Sequence, residues 1–201
     1  MNNIDKFYTS NAKAFAGRYL EYLKSVIDKV DLGEISAFIG LLVEARNAGR
    51  SIFFIGNGGS AATASHFAND LAIGTNDYVK PIKAIALTDN IPIITAIGND
   101  YGYDDIFERQ LRVLANKGDI IVAISASGNS PNLVKAFEYA KSNDIKAVSI
   151  TAFTGGVLRE MADLSVFIPT DLKEYGPAED LHMILDHLIN AYFIRFVKEG
   201  N

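Results

Sequence analysis

His66 and Asp70 lie four residues apart, and a histidine and a carboxylate at this spacing can act together chemically. On a helix, residues at this spacing lie on one face, so the two side chains would point the same way. An imidazole and a carboxylate there can share a divalent metal, or act as a hydrogen-bonded acid–base pair. Taken alone, however, the pair is better interpreted as an ordinary contact on a helix surface.

Residues 179–187 hold the other two histidines, His182 and His187, among acidic side chains. At about 100° per residue, one broad arc of a helix here would hold four side chains: Glu179, Met183, Asp186 and His187. His182 would fall on the other side of Glu179. Apolar residues surround His187, so we expect it to be partly buried and to need a partner. It is then either a core histidine bonded to a carboxylate, or a metal ligand or proton shuttle.

Two loops rich in glycine and serine follow apolar runs. Residues 56–60 read GNGGS after SIFFI, and residues 125–130 read SASGNS after IIVAI. A buried strand, a tight loop and a helix start in succession leave backbone N–H groups and hydroxyls pointing at one spot, which suits a phosphate. Either loop alone could be only a sharp turn, but the two together predict a phosphorylated small molecule held between them. Neither matches a Walker A loop or Gly-x-Gly-x-x-Gly, which disfavours dinucleotide binding.

From residue 51 onward, strand and helix patterns alternate. The predicted strands are 51–55, 82–87, 119–125, 146–150 and 164–168. The predicted helices are 59–73, 103–115, 132–143, 157–161 and about 177–197. Continuous apolar strands joined by helices predict an α/β fold, with a five-stranded parallel sheet covered on both faces. A flavodoxin-like order, 2-1-3-4-5, would place the two loops after strands 1 and 3, at the topological switch point where such sheets bind ligands.

The first 50 residues predict two helices, which form an N-terminal extension to the α/β core of residues 51–201. The whole chain, 1–201, is expected to be a single domain. A five-stranded sheet does not need such an extension, and Tyr19 and Tyr22 help to make the first long helix apolar over a wide arc. We expect it to form a subunit contact; the alternative is a helix that only covers its own domain.

Composition excludes several classes of function. Hydrophobic residues make up 49% of the 201 residues and charged residues 21%, as in ordinary globular proteins. The net charge of −5, without a Lys/Arg cluster, disfavours nucleic acid as a partner. There is no cysteine, which excludes disulfides and thiolate chemistry. Neither a signal peptide nor a membrane span is evident, so a cytoplasmic protein without a membrane partner is expected.

Taken together, these segments resemble the sugar isomerase (SIS) domain family, and within it the phosphoheptose isomerases. The resemblance covers nearly the whole chain, including the N-terminal helices. It is carried by residues 56–60 with 66–68, by GNDYG at 98–102, by ISASGNS at 124–130, by 151–156, and by the segment containing His182 and His187. It implies a flavodoxin-like SIS fold and a zinc-dependent homotetramer with sites near subunit interfaces.

The implied reaction converts sedoheptulose 7-phosphate to D-glycero-D-manno-heptose 7-phosphate through an enediol(ate). This is the first step toward nucleotide-activated heptose for lipopolysaccharide or capsule. The implied zinc ligands are His66, Asp70, Glu179 and His187. The catalytic residues would be Asp70 or Glu179 as base and His187 as acid–base partner. The implied phosphate and sugar contacts are Asn57, Gly58, Gly59, Ser60, Asn99, Asp100, Ser125, Ala126, Ser127, Ser130 and Glu179.

Two positions depart from the family pattern, which usually has Glu at Asp70 and Gln at Glu179. In addition, Glu179 and His187 are eight residues apart, about 12 Å along a helix axis. They could share one metal only through extended side chains or a distorted first helical turn. The departures leave open an isomerase for another phosphosugar. They also leave open a non-catalytic SIS module that senses a sugar phosphate or binds the bacterial replication initiator, although the retained His66 and His187 favour an enzyme.

Overall fold

The computed structural model describes residues 2–200; Met1 and Asn201, the ends of the predicted domain, lie outside this range. Three helices precede the sheet: α1 (Asn3–Phe7), α2 (Ala12–Ile27) and α3 (Leu32–Asn47). Each begins where an Asn or Asp side chain accepts a hydrogen bond from a backbone amide, at Asn2, Asn11 and Asp31. The two long helices confirm the predicted extension, and α1 adds a short one that the sequence did not predict.

The sheet has five parallel strands in the order β2-β1-β3-β4-β5, as predicted. The strands are β1 (Ser51–Gly56), β2 (Lys83–Ala86), β3 (Ile120–Ser125), β4 (Lys146–Ala152) and β5 (Leu164–Ile168). The remaining helices are α4 (Gly59–Asn69), α5 (Ile91–Asp100), α6 (Glu108–Leu114), α7 (Pro131–Ser142), α8 (Gly156–Met161) and α9 (Tyr175–Lys198). Since β1 and β3 are parallel neighbours, the loops that follow them meet at one edge of the sheet.

Helices cover both faces of this sheet, which is why its strands are apolar throughout. In β1, Phe54 packs on one face with Phe38 of α3 and Phe67 of α4. Its neighbour Phe53 packs on the other face with Phe137 of α7. Every residue of β3 is buried. The same core joins α4 to α9, so these two helices lie side by side.

Helix α5 and the segment 103–115 differ from the predictions. Helix α5 was not predicted; none of its residues is buried, although Ile94 and Ile97 pack against the edge of the core. The predicted helix 103–115 is divided: a 3₁₀ turn, Tyr103–Asp105, precedes α6.

The predicted helix 59–73 changes character near its end. The α-helical part stops at Asn69, and Asp70–Gly74 continues as a single π-helical turn. Such turns often mark functional positions, because they change the direction in which side chains project. Within residues 2–200, no helix has the combined length and apolar character that crossing a bilayer requires.

Candidate functional site

Four side chains from two helices come together beside the sheet. The cluster consists of His66 and Asp70, at the end of α4 and the start of the π-helical turn, with Asp186 and His187 of α9. Each offers one ligand atom, and these atoms all lie within 4.8 Å of one another. The ring centroids of His66 and His187 are 5.2 Å apart. His66 Nε2 lies 3.6 Å from an Asp70 oxygen and 3.9 Å from an Asp186 oxygen.

The two carboxylates of this cluster have different surroundings. Asp70 accepts a hydrogen bond of 2.7 Å from the side-chain amide of Asn190. Asp186 has no exposed surface, and neither of its oxygens has a hydrogen-bond partner within residues 2–200. Burial, followed by the negative charge of Asp70, raises the pKa of Asp186 from 3.8 to about 7. A buried polar group without a partner costs about 1–3 kcal/mol.

A divalent cation fits this arrangement. Two imidazoles and two carboxylates are ligand types that zinc accepts, and four ligands is the usual number for that ion. The buried oxygens of Asp186, which have no hydrogen-bond partner, are the structural observation in favour of the fit. Bound there, a cation would offset both negative charges.

Three of the four metal ligands implied by the family resemblance lie in the cluster: His66, Asp70 and His187. Glu179 does not belong to it, and Asp186, which the resemblance did not imply, does. The signal for Asp186 was its position in the same helical arc as His187. That arc spans two turns of helix, so it did not indicate which carboxylate stands level with His66.

Glu179 instead lies against the first glycine-rich loop. Its carboxylate atoms are 2.4–2.8 Å from the point that a Cβ on Gly59 would occupy, so any side chain there would displace it. Gly59 is the first residue of α4, where free N–H groups and the helix dipole favour a negative charge. His66 follows seven residues later, about 10 Å along the helix axis.

The expectation that His187 is partly buried was wrong: His187 is exposed. The fully buried histidine is His182, at 1% exposure, and neither of its ring nitrogens has a hydrogen-bond partner within the described chain. Burial lowers the pKa of His182 to about 4, which keeps its ring neutral at physiological pH. His187, with the exposed His66 beside it, is therefore the histidine on α9 that solvent and ligands can reach.

The first loop is tied to its surroundings through Asn57. Its side-chain amide exchanges two hydrogen bonds of 2.9 Å with the amide of Asn132 on α7. Its oxygen also accepts a hydrogen bond of 2.8 Å from the Tyr103 hydroxyl. Gly58 has a positive φ of 54°, and Ser60, two residues later, is buried. The loop is thus held in place without a ligand.

The second loop is closed by its own hydroxyls and by the loop after β4. Ser125 Oγ accepts a hydrogen bond from the Gly128 amide at 3.1 Å, and Ala126 is buried. Gly128 has a φ of +67°, and a Cβ there would lie only 1.9 Å from the Gly155 carbonyl oxygen. Ser127 is half-buried, and the Ser130 hydroxyl makes no capping hydrogen bond at the start of α7.

The remaining predicted contacts, Asn99 and Asp100, lie at the exposed end of α5. The Asn99 amide donates to the Asp100 carboxylate at 2.8 Å. Tyr103 follows shortly afterwards and reaches Asn57, so this segment adjoins the first loop. The structure gathers the loop residues at one sheet edge, but whether each predicted residue contacts a ligand remains a prediction.

Comparisons with known proteins agree with this architecture. The family model of the SIS domain matches residues 15–152. The phosphoheptose isomerase of Aliarcobacter butzleri is 38% identical over 149 residues, 74% of this chain and 78% of that protein. The phosphoheptose isomerase of Burkholderia pseudomallei is 34% identical over 190 residues, 94% of each chain. A solved phosphoheptose isomerase from Neisseria gonorrhoeae matches with a TM-score of 0.80 at 31% identity, over 90% of this chain and 97% of that one. The chain therefore belongs to the SIS domain family, among the phosphoheptose isomerases.

Proposed function

We propose that this chain converts sedoheptulose 7-phosphate to D-glycero-D-manno-heptose 7-phosphate, the first step of nucleotide-activated heptose biosynthesis. The observation that carries the proposal is the cluster of His66, Asp70, Asp186 and His187 close to the glycine-rich loops. Helix α4 begins in the first loop, and α9 passes beside it. Relatives named phosphoheptose isomerase support the choice of substrate. A sugar phosphate held at the loops would have its other end directed toward the cluster.

The reaction moves a proton between adjacent carbons, which requires a base, an acid at the carbonyl oxygen and stabilisation of the developing oxyanion. A zinc ion held by His66, Asp70, His187 and a further carboxylate of α9 would supply electrostatic stabilisation of that oxyanion. Of the two predicted bases, Asp70 and Glu179, Glu179 is the better placed, since its carboxylate lies outside the cluster and beside the first loop.

The acid–base partner we propose is His187. It is exposed at the cluster, and an imidazole can give or take a proton near neutral pH. This role is open to it when the ring is not held by the metal. Asp100 would bind sugar hydroxyls from the end of α5.

The second loop would bind the phosphate. Backbone amides at the start of α7, with the hydroxyls of Ser127 and Ser130, provide donors at one edge of the sheet, whereas the start of α4 already faces the Glu179 carboxylate. The phosphate lies at the opposite end of the substrate from the reacting carbons. Its binding energy would therefore position the carbonyl without taking part in the chemistry.

We also propose that the chain assembles as a homotetramer. An apolar groove of about 490 Å³ runs between α3 and α9, lined by Leu32, Ile39, Leu188 and Tyr192 among others. Leu32 is 74% exposed in the single chain. Leu188 follows His187 directly, so a subunit docked there would cover the neighbourhood of the cluster. Light scattering after gel filtration tests the proposal, and a monomer with full activity would contradict it.

The test of function is direct. Zinc-loaded protein is incubated with sedoheptulose 7-phosphate, and the aldose product is followed by proton NMR. Formation of the aldose is expected, with loss of turnover in the Glu179→Gln variant. The matched control is Asp180→Asn, the same chemical change one residue along α9, which should retain activity.

Each other outcome points to a different class. Turnover only with a different ketose phosphate would indicate an isomerase of another phosphosugar. Tight binding of sugar phosphates without turnover on any of them would favour the non-catalytic sensor.

A further inference from the structure

We infer that Asp186 completes the metal site of this chain, in the place that the family resemblance gives to Glu179, and that Glu179 serves the substrate instead. The inference rests on the proposed function, because it divides between two carboxylates of α9 the tasks that the reaction requires. It concerns only residues of this chain, and it can be tested without turnover.

Asp186 has the position and the surroundings of a ligand. Its side chain is fully buried, and neither oxygen has a hydrogen-bond partner within residues 2–200. One oxygen faces His66 Nε2 at 3.9 Å, which is too far for a hydrogen bond but close enough for both atoms to reach one ion. The four ligand atoms lie within 4.8 Å of one another. Ligand atoms that share one zinc ion lie up to about 4.4 Å apart, so only small side-chain movements are needed for all four to bind it.

Glu179 stands apart from the cluster, at the other end of the same stretch of α9. It precedes His187 by eight residues, about 12 Å along the helix, whereas Asp186 directly precedes His187. The Glu179 carboxylate also has another location, packed over Gly59 at the start of α4. There it faces the loop proposed to bind the substrate.

The arrangement divides the work between the two helices. Helix α4 and its π-helical turn supply His66 and Asp70, and α9 supplies Asp186 and His187 as consecutive residues. Two carboxylates then balance the double charge of the ion while Glu179 remains free. A base that is not also a ligand keeps its lone pairs available for the proton.

Zinc affinity measures the division directly. Parent protein, Asp186→Asn, Glu179→Gln and the control Asp180→Asn are stripped of metal and titrated with zinc against a chromophoric chelator. Asp186→Asn is expected to bind zinc about 100-fold or more weakly than the parent, since even supporting groups around a metal cost 10–100-fold. Glu179→Gln and Asp180→Asn should bind within about threefold of the parent, while Glu179→Gln alone of these two loses turnover. Parent-like zinc binding by Asp186→Asn, loss of zinc from Glu179→Gln, or a parent protein that binds no zinc would each overturn the inference.

A second measurement does not depend on the variants folding. In crystals of the zinc-loaded parent, an anomalous difference map at the zinc edge should place the ion about 2.0–2.2 Å from an Asp186 oxygen. An ion bound by Glu179 and not by Asp186 would overturn the inference. If zinc sits on Asp186 but no ketose phosphate is turned over, the inference stands and the proposed function fails.

Discussion

The two ends of the candidate site differ in whether folding alone satisfies their polar groups. The glycine-rich loops are complete as folded: the Asn57 amide is paired with Asn132, the Gly128 amide with Ser125, and glycine stands where a side chain would collide. The cluster is incomplete, since Asp186 is buried without a hydrogen-bond partner in the described chain. Folding alone therefore finishes the loops, whereas only a bound cation would finish the cluster.

The difference has an energetic consequence. A preformed loop has already lost its conformational freedom, so binding a phosphate there costs little further ordering. A buried carboxylate beside another carboxylate costs stability in the metal-free protein, and the metal returns that stability on binding. The predictions below test each end separately.

The largest expected effect is at Gly128. Replacing it by Ala places a methyl 1.9 Å from the Gly155 carbonyl oxygen at a φ of +67°. Backbone strain and overpacking should together lower the free energy of unfolding by about 3 kcal/mol or more. Urea denaturation measures this. Gly17→Ala in α2, where nothing lies within 4 Å of the new methyl, should instead stabilise by about 0.5–1 kcal/mol. Equal effects at both positions would show that the second loop is not tightly packed.

A smaller effect is expected at Gly59, where the obstacle is a side chain rather than backbone. A Cβ on Gly59 would lie 2.4 Å from Glu179 Oε2, in a helical residue that tolerates Ala. Gly59→Ala should displace the Glu179 carboxylate while leaving the fold intact, and lower kcat by about 100-fold, as expected for a group moved by about 1 Å. Steady-state kinetics and a thermal melt on the same sample separate the two effects. An unchanged kcat would exclude Glu179 as the base.

At the cluster, metal-free protein should show a pH dependence set by Asp186. The folded state holds a proton on Asp186 up to about pH 7, whereas the unfolded chain releases it near 3.8. The folded state therefore binds more protons in this window, and the free energy of unfolding falls as pH rises through it. The slope from this group is at most about 1.4 kcal/mol per pH unit.

His182 acts with the opposite sign. Its pKa is about 4 when folded and 6.5 when unfolded, so stability falls as pH drops from about 6.5 to 4. Between about pH 6.5 and 7 the Asp186 effect stands without it. The His182 effect is common to metal-free parent and Asp186→Asn, so urea melts of the two should diverge as pH rises from about 3.8, and the parent's loss of stability relative to the variant should be largest above about pH 7. Identical pH profiles would mean that Asp186 is ionised in the folded state.

The smallest expected effect is the loss of one hydrogen bond from the first loop. Tyr103→Phe removes the hydroxyl that donates to Asn57 and should cost about 0.5–1.5 kcal/mol. Tyr101→Phe is the matched control, because the ring of Tyr101 lies under Arg109 and is kept in the variant. If Tyr103→Phe changes stability no more than Tyr101→Phe does, Asn57 is held by Asn132 alone.

The same contrast explains what the sequence could predict. The strand order and both loops follow from short stretches in which strand, turn and helix start are adjacent, so local patterns suffice. The cluster depends on how α4 and α9 lie against each other, which no local pattern contains. Asp186 and Glu179 fall in one helical arc, and only the relative position of the two helices decides which one meets His66.

The error at His187 has a physical origin. The prediction assumed that the apolar residues around it face the core of the same chain. Ile184 and Leu188, neighbours of His187 on α9, are 41% and 42% exposed. Apolar surface outside the core of one chain weakens the periodic signal on which such predictions depend.

Helix α4 has one further consequence, for which substrates the site accepts. Its first residue, Gly59, belongs to the first loop, which adjoins the second, proposed phosphate-binding loop, and His66 of the same helix belongs to the cluster about 10 Å away. If the proposed reaction holds, the length of α4 sets the distance between the loops and the cluster, and therefore how many carbons separate the phosphate from the carbonyl. A six-carbon ketose phosphate would be one carbon–carbon bond too short to span that distance. Its kcat/KM should therefore be lower than that of the seven-carbon substrate.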